Sequence, residues 1–323
     1  MTVLVTGAAG FVGFHASLAL LKAGDRVVGV DILNDYYDPA LKQARLDILN
    51  EYANFSFHKL DLAEHEAVME LCLAEKPDRI LHLAAQAGVR YSLENPFAYA
   101  RSNLVGFLSV LEAARALGDD LTHLVYASSS SVYGERSSVP FRENDAAETP
   151  ASLYAATKRS DELMTASYAS LYGIPATGLR FFTVYGPWGR PDMAYWLFAD
   201  AMLDGRPIKV FNNGNMERDF TYVDDVIEPL CRILRDKPRR GRHAVYNIGG
   251  SSPVRLMDMI ETLETALGCT AEKEMLPMQP GDVTRTFADT TRLQTDYGYA
   301  PQIPIEMGLK RFADWYKDWR NRS

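Results

Sequence analysis

The feature that most constrains the fold is a glycine-punctuated loop close to the first residue. The apolar run Thr2-Val3-Leu4-Val5 leads directly into Thr6-Gly7-Ala8-Ala9-Gly10-Phe11-Val12-Gly13. Glycines at 7, 10 and 13 mark a strand, a tight turn and the start of a helix. Gly7 permits the turn, Gly10 lets backbone approach a pyrophosphate, and Gly13 lets helix and strand pack closely. The N–H groups at the helix start would face the phosphates, with Phe11 and Val12 at its first positions. About 20 residues on, the run Arg26-Val27-Val28-Gly29-Val30 ends in Asp31, where an acid would bind a ribose 2′-hydroxyl. An acid there would repel a 2′-phosphate, so NAD is expected over NADP. A turn cluster followed by a helix-capping acid is the plainer alternative. It does not require strand, loop, helix, strand and acid in this order.

A second constellation lies near the middle of the chain. Tyr154-Ala155-Ala156-Thr157-Lys158 follows the serine run Ser128-Ser129-Ser130-Ser131. On a helix, Tyr154 and Lys158 share one face, one turn apart. A phenol titrates near 10 and is a poor base at neutral pH. A neighbouring ammonium and a cationic nicotinamide ring would both favour the phenolate. A serine hydroxyl beside it would relay a proton or hold a substrate oxygen. The set suits removal of a proton from an alcohol while a hydride leaves the same carbon. Alone, the Tyr–Lys spacing is also that of an exposed helical pair, and the dinucleotide loop gives it weight.

At 323 residues the chain suits one large domain or two modest ones. A hydrophobic content of 47% is ample for a core, and a net charge of −8 argues against a nucleic-acid or anionic-membrane surface. Cys72, Cys231 and Cys269 are odd in number and far apart, which reads as reduced thiols of a cytoplasmic protein. A strand beginning at residue 2 leaves no room for a signal peptide, and no apolar run reaches the ~20 residues of a spanning helix. Five of the histidines, at 15, 58, 82, 123 and 243, have no carboxylate at ligand spacing, so no metal is expected.

Strands are expected at 2–6, 26–31, 55–60, 79–84, 122–128 and 174–181, with helices at 11–23, 63–75, 98–116 and 152–172. This alternation predicts an α/β fold, a doubly wound Rossmann parallel sheet. Its functional residues would gather at the carboxyl ends of the strands. After residue 180 the rhythm breaks at Gly186-Pro187-Trp188-Gly189-Arg190-Pro191. Further helices are expected near 192–204, 223–236, 255–268 and 304–320. Residues 1–180, with a return at 223–248, would form the NAD-binding domain. Residues 181–222 and 249–323 would form a smaller mixed α/β substrate-binding domain. Phe312, Trp315 and Trp319 read as packing residues.

Longer stretches carry a more specific signal: Leu83 to Ser92, Tyr126 to Gly134, Leu153 to Lys158, Arg180 to Met193, and Arg218-Asp219-Phe220-Thr221-Tyr222. Over essentially its whole length the chain resembles the extended short-chain dehydrogenase/reductases that act on nucleotide sugars, with the closest likeness to UDP-glucuronate 4-epimerases. The resemblance implies that Tyr154 takes the proton of the sugar 4-hydroxyl while the C4 hydride moves to tightly held NAD. Lys158 would bind the nicotinamide ribose and favour the phenolate, and Ser129 would hydrogen-bond O4. The 4-keto sugar would turn and take the hydride back on its other face. Asp61 and Leu62 would flank the adenine, and Leu83, Ala84 and Ala85 would pass close to the pyrophosphate. Asn103 would support the helix near the cofactor ribose or serve as a polar residue of the helix interior. Arg218 and Asp282 match positions that bind phosphate and ribose of the uridine diphosphate. Arg90 would assist with the uronate or the diphosphate, and Ser128 would line the sugar site.

Departures from related enzymes sharpen the substrate. Dehydratases carry Asp-Glu after the catalytic Ser/Thr, and decarboxylases carry Glu at the second position. Here Ser130 and Ser131 stand there, leaving no acid to protonate C5 or C6. A 4-keto uronic acid is a β-keto acid prone to losing carbon dioxide, and hydroxyls holding its carboxylate near the ketone plane would resist that. Thr183 replaces the Asn of many relatives and would donate to the same carboxylate. Arg190 would contact the pyrophosphate or carboxylate, or else form a loop salt bridge. The expected reaction is interconversion of UDP-glucuronate and UDP-galacturonate. UDP-glucose/UDP-galactose 4-epimerase is the first alternative, followed by UDP-glucuronate decarboxylase. A non-catalytic NAD-dependent sensor on the same fold is the alternative outside enzymes. The resemblance also implies a homodimer, formed by helices 98–116 and 152–172. Leu104, Phe107, Leu108, Leu111, Leu163, Tyr168 and Leu171 would supply either that contact or the packing on the sheet.

Overall fold

The structure is a computed structural model, and it describes residues 1–135, 138–279 and 281–321. Strands and helices alternate from the start: β1 Thr2–Thr6, α1 Phe11–Lys22, β2 Arg26–Asp31, α2 Pro39–Asn50, β3 Phe55–Lys59, α3 His65–Glu75 and β4 Arg79–His82. Two short helices follow, α4 Tyr91–Glu94 and α5 Pro96–Tyr99, then a π-helical turn Ala100–Val105 that runs into α6 Gly106–Leu117. β5 His123–Ser129, α7 Leu153–Tyr172 and β6 Ala176–Phe181 complete the run. The chain continues through β7 Thr183–Tyr185, α8 Ala194–Leu203, β8 Ile208–Val210, β9 Glu217–Tyr222, α9 Val223–Arg235 and β10 His243–Ile248. It ends with β11 Pro253–Arg255, α10 Leu256–Leu267, β12 Lys273–Met275, α11 Thr291–Tyr297 and α12 Ile305–Arg320.

The central sheet has seven strands in the order β10-β6-β5-β4-β1-β2-β3. Parallel registers join β1 to β6, with Leu4 opposite Val28 on one side and Ile80 on the other. Such strands are covered on both faces, which is why they read as continuous apolar runs. Val3, Val5, Val27, Val28, Ile80 and Leu81 are fully buried. One face packs Phe107, Val110, Leu111 and Ala114 of α6 against Leu4, Val28, Ile80 and Leu124. Chain order reverses between β1 and β4, and sheets of this kind bind ligands beyond the carboxyl ends at that point.

The chain forms two compact units. The first comprises Met1–Gly134, Ala146–Phe181 and Ile227–Tyr246. The second comprises Glu135–Asp145, Phe182–Val226 and the chain from Asn247 onward. Segment 135–145, which the sequence reading leaves with the first domain, clusters with the second because Phe141 is tied into it. The Phe141 N–H donates to the Phe287 carbonyl at 2.7 Å, and its own carbonyl accepts from Asn247 Nδ2 at 2.9 Å. In the second unit β9 runs between β11 and β7. The Asp219 side chain collects the N–H groups of Gly250, Ser251 and Ala288. Phe312 is buried against Tyr195 and Trp196, while Trp188 contacts both Trp315 and Trp319.

Three features differ from the sequence expectation. Helix α2 is absent from it. The single helix expected over 98–116 is broken by the π-turn that carries Asn103. Short strands β7, β8, β9, β11 and β12 organise a region read as loops and helices.

Candidate active site

The glycine loop has the geometry its spacing implies. Gly7 sits at φ +71°, and its N–H donates to the Val30 carbonyl at 2.7 Å. A Cβ on Gly7 would lie 2.8 Å from the Ala84 nitrogen, and one on Gly13 would lie 1.9 Å from the Gly7 carbonyl oxygen. A Cβ on Gly10 would approach only the loop's own backbone at Gly7. No side chain caps the N-terminus of α1, so its first N–H groups are left for an anionic ligand. Phe11 is buried at that terminus and Val12 half-buried. Leu83, Ala84 and Ala85 run alongside, with the Ala84 N–H donating to Thr6 Oγ1 at 3.2 Å. These residues fit a dinucleotide pyrophosphate.

Asp31 ends β2 with its carboxylate accepting from the N–H groups of Ala9 at 3.2 Å and Leu33 at 2.9 Å. Burial pushes its carboxyl up, opposed by the Leu33 N–H, Lys42, the Ala9 N–H and Arg45. Lys42 and Arg45 lie on α2, are both buried, and both lie over the Tyr37 ring. Arg45 donates to the Ala9 carbonyl and to the Tyr37 hydroxyl. This basic pair is a part of the site that sequence reasoning missed. Its signal was Asp38-Pro39, an N-cap followed by a proline at the first helical position.

Asp61 caps the Ala63 N–H and pairs with Arg101, while Leu62 is buried. Asn103 is a clamp: its Oδ1 accepts from the Gln86 N–H at 2.8 Å, and its Nδ2 donates to the Gln86 carbonyl and to Thr157 Oγ1. It therefore ties the loop after β4 to α7. Both of its polar atoms are engaged in this way.

Tyr154 stands half-buried in the first turn of α7, its ring edge-on to Tyr99 at 6.1 Å. Ser152 caps that helix through the Ala155 N–H. Lys158 is 1% exposed, and its ammonium donates to the Ala127 carbonyl at 3.1 Å and to Asp161 Oδ2 at 3.0 Å. It is therefore half of a buried ion pair, another feature the sequence reading missed. Burial outweighs Lys158 in its effect on the Asp161 carboxyl, which is raised to about 6.

The four serines divide. The Ser129 Oγ accepts from the Ser131 N–H at 3.2 Å and from the Ser131 hydroxyl at 2.9 Å. A hydroxyl has one proton and two lone pairs, so Ser129 is left to donate outward. The proton of Ser131 goes to Ser129. Ser130 begins the 3₁₀ turn, half-buried. Ser128, expected to line the sugar site, is buried. Strand alternation turns it inward, and its hydroxyl donates to Glu162 Oε1 at 2.6 Å. The same Glu162 holds Arg180 by two bonds, at 2.8 and 2.9 Å, so Ser128 belongs to a buried network.

Among the residues expected at the substrate, Arg90 is exposed ahead of α4 in the first unit. In the second unit Thr183 opens β7 opposite Phe220. Arg218 donates to the carbonyls of Glu217 and Thr284, next to the loop holding Asp282, whose N–H donates to the Gln279 carbonyl. Arg285 pairs with Glu217 at 2.7 Å. Arg190 forms the loop salt bridge, with Nε 3.0 Å from Asp192 Oδ1.

A parallel sheet in this order, a helix N-terminus with no side-chain cap behind a glycine turn, a Tyr–Lys pair on α7 and Ser129 at the end of β5 fit a dinucleotide-dependent enzyme. The model of the NAD dependent epimerase/dehydratase family matches residues 3–249, and the chain belongs to that family. It is 47% identical to the probable UDP-glucuronate 4-epimerase of Rhizobium meliloti, over 98% of this chain and 97% of the other. It is 44% identical to UDP-glucuronate 4-epimerase 4 of Arabidopsis thaliana, over 98% of this chain and 75% of that one. The crystal structure of UDP-glucuronic acid 4-epimerase from Bacillus cereus with UDP-glucuronic acid and NAD superposes with a TM-score of 0.92 at 36% identity. That match covers 99% of this chain and 100% of the other.

The Gly13 contact sets up a direct test. Gly13→Ala places a methyl where the Gly7 carbonyl now is, so the turn must open. NAD affinity measured by titration calorimetry is expected to fall at least about tenfold, the loss of a single good charge-assisted hydrogen bond. Unchanged affinity would mean that the turn does not carry the pyrophosphate.

Proposed function

We propose that the protein interconverts UDP-glucuronate and UDP-galacturonate by epimerisation at C4, with bound NAD. The observation that supports this reading is the Ser129–Ser131 turn at the end of β5, where Ser129 is left as a hydroxyl donor and the run Ser128 to Ser131 carries no acid. Tyr154 takes the proton from the 4-hydroxyl, and Ser129 donates to O4. The Lys158 ammonium, one helical turn from Tyr154, stabilises the negative charge on the phenolic oxygen. NAD, when bound, supplies the hydride acceptor at C4 and returns the hydride to the opposite face of the ketone. Tyr154 then gives its proton back to O4, so the cycle has no net redox change.

Gly7, Gly10, Gly13 and the start of α1 hold the pyrophosphate, Asp31 holds the adenosine ribose, and Asp61 and Leu62 border the adenine. Ser130 and Thr183 bind the sugar carboxylate. Arg218 and Asp282 bind the uridine diphosphate, and Arg90 assists. With Arg190 paired to Asp192, the diphosphate charge falls first on Arg218. A hydroxyl-lined carboxylate site without an acid beside C5 suits a β-keto acid that must keep its carbon dioxide. The expected kinetic signature is a kcat/KM for UDP-glucuronate at least about a hundredfold above that for UDP-glucose, the scale a pocket reaches between near-isosteric substrates. A preference for UDP-glucose would move the assignment to the neutral-sugar 4-epimerases.

The reading includes a cytoplasmic homodimer. No helix among the described residues is long and apolar enough to cross a membrane. The thiols of Cys72, Cys231 and Cys269 are free. Leu108 of α6 and Leu163 and Leu171 of α7 are exposed, whereas Phe107 and Leu111 are buried in the sheet core. The outward leucines supply an apolar face of the kind that joins subunits.

A further inference from the structure

Two loops, one after β2 and one after β4, meet through a pair of tyrosines. Strands β2 and β4 flank β1, so their ends are separated by two strand spacings, about 10 Å. The segment after β2 runs from Ile32 to Asp38, and the segment after β4 leads to Tyr91. The Tyr36 and Tyr91 rings nevertheless touch, with centroids 4.9 Å apart and planes inclined at 46°. A contact between these loops forms an arch across the line of β1, the strand that leads into Gly7.

Both sides of the arch are anchored. On the β2 side, Leu33 at φ +53° donates to Asp31, and Tyr36 meets Tyr37, whose ring is in reach of Lys42 and Arg45. On the β4 side, Asn103 fixes Gln86, and the Tyr99 hydroxyl bonds the carbonyls of Ala87 and Gly88. Asn95 donates to the Tyr91 hydroxyl at 3.0 Å. Tyr91 then meets Tyr99 at 6.2 Å, and Tyr99 meets Tyr154 at 6.1 Å. A row of five tyrosines thus runs from the ribose acid to the proton-transfer residue.

We propose that Tyr36 and Tyr91 form a clasp that closes over the pyrophosphate of bound NAD and retains it between turnovers. The inference rests on NAD binding by this family and not on which sugar is epimerised. A cycle that regenerates its cofactor gains nothing from releasing it, and release of the reduced form would strand the ketone. The contact is polarisable and non-covalent, so it opens for loading and slows escape.

The test is the dissociation rate of labelled NAD from the full chain, chased with excess unlabelled NAD, for the wild type, Tyr36→Ala, Tyr91→Ala and the double variant. Each single alanine variant is expected to release NAD about 3- to 10-fold faster, the scale of one aromatic pair. The double variant is expected to be no faster than the faster single one, because both remove the same contact. Tyr36→Phe, which keeps the ring, should match the wild type. If an alanine variant does not fold, Tyr36→Leu, which fills the space without a ring, gives the same readout. Unchanged release rates in folded single variants, or multiplicative effects in the double variant, would overturn the clasp while leaving NAD binding and the sugar assignment intact.

Discussion

Tyr154→Phe is expected to lower kcat by about a thousandfold, within the range that positioned acid–base groups contribute. The substitution removes one oxygen from a ring that is half-buried and packed edge-on against Tyr99. Ring packing and helix capping by Ser152 survive, so NAD and UDP-glucuronate should bind within about twofold of the wild type, the signature of an interaction made only on the way to the transition state. The Ser129 donor and the Lys158 charge remain in place, so some activity persists. A loss below about tenfold would show that another group takes the O4 proton, since acid–base catalysis at this scale needs a positioned base.

Glu162→Ala is expected to destabilise the fold by about 3–5 kcal/mol, the range for removing one partner of a buried ion pair. Glu162 and Arg180 are 1% and 3% exposed. Glu162 also receives Ser128 and Arg159, and the Arg180 guanidinium lies 4.7 Å from the centre of the Tyr133 ring. Without Glu162 the guanidinium stays buried and unpaired by that carboxylate, and the Ser128 hydroxyl loses its acceptor. Burial raises the Glu162 carboxyl, but Arg180, Ser128 and Arg159 together hold it below its ordinary value. Its folded pKa is therefore depressed. The stabilisation it supplies is full above the unfolded value of 4.5 and is lost as pH falls through the lower folded value. Urea unfolding at pH 7 and at pH 4 measures both effects. A change under about 1 kcal/mol at pH 7 would mean that the pair is solvent-screened in solution. The network sits directly behind β5, so a lower kcat with unchanged substrate binding in this variant would reflect misplacement of Ser129.

Sheet and cofactor loop were legible because local rules decide them. Apolar runs such as Val3-Leu4-Val5 have one use in a two-sided parallel sheet, and the glycines at 7 and 13 leave no space for a side chain. Helix α2 escaped because its hydrophobic pattern is weak. Lys42 and Arg45 are buried on the side where Leu41, Leu46 and Leu49 would be expected to stand alone. Charged residues on a buried face look like solvent-facing ones until the acid they serve, Asp31, is placed beside them. The same reason hid Asp161 and Glu162. They lie three and four residues after Lys158 on one helix, a spacing that marks neighbours, yet only the fold shows that both point inward. Ser128 illustrates the converse. Four serines in a row read as one polar lining, but strand alternation sends Ser128 to Glu162 and Ser129 to the open edge. In the second unit, β7 and β11 are three residues each, too short for a period to be read. Their places follow from non-local contacts such as Asp219 with Gly250 and Ala288.

The central claim is C4 epimerisation of a uronic acid with its carboxylate retained. Its most direct test is incubation of the pure protein with UDP-glucuronate, without added NAD, followed by proton NMR of the products. UDP-galacturonate as the main product, with little pentose or carbon dioxide, is the expected result. UDP-pentose and carbon dioxide as the main products would contradict it, and with it the protective role assigned to the serine turn.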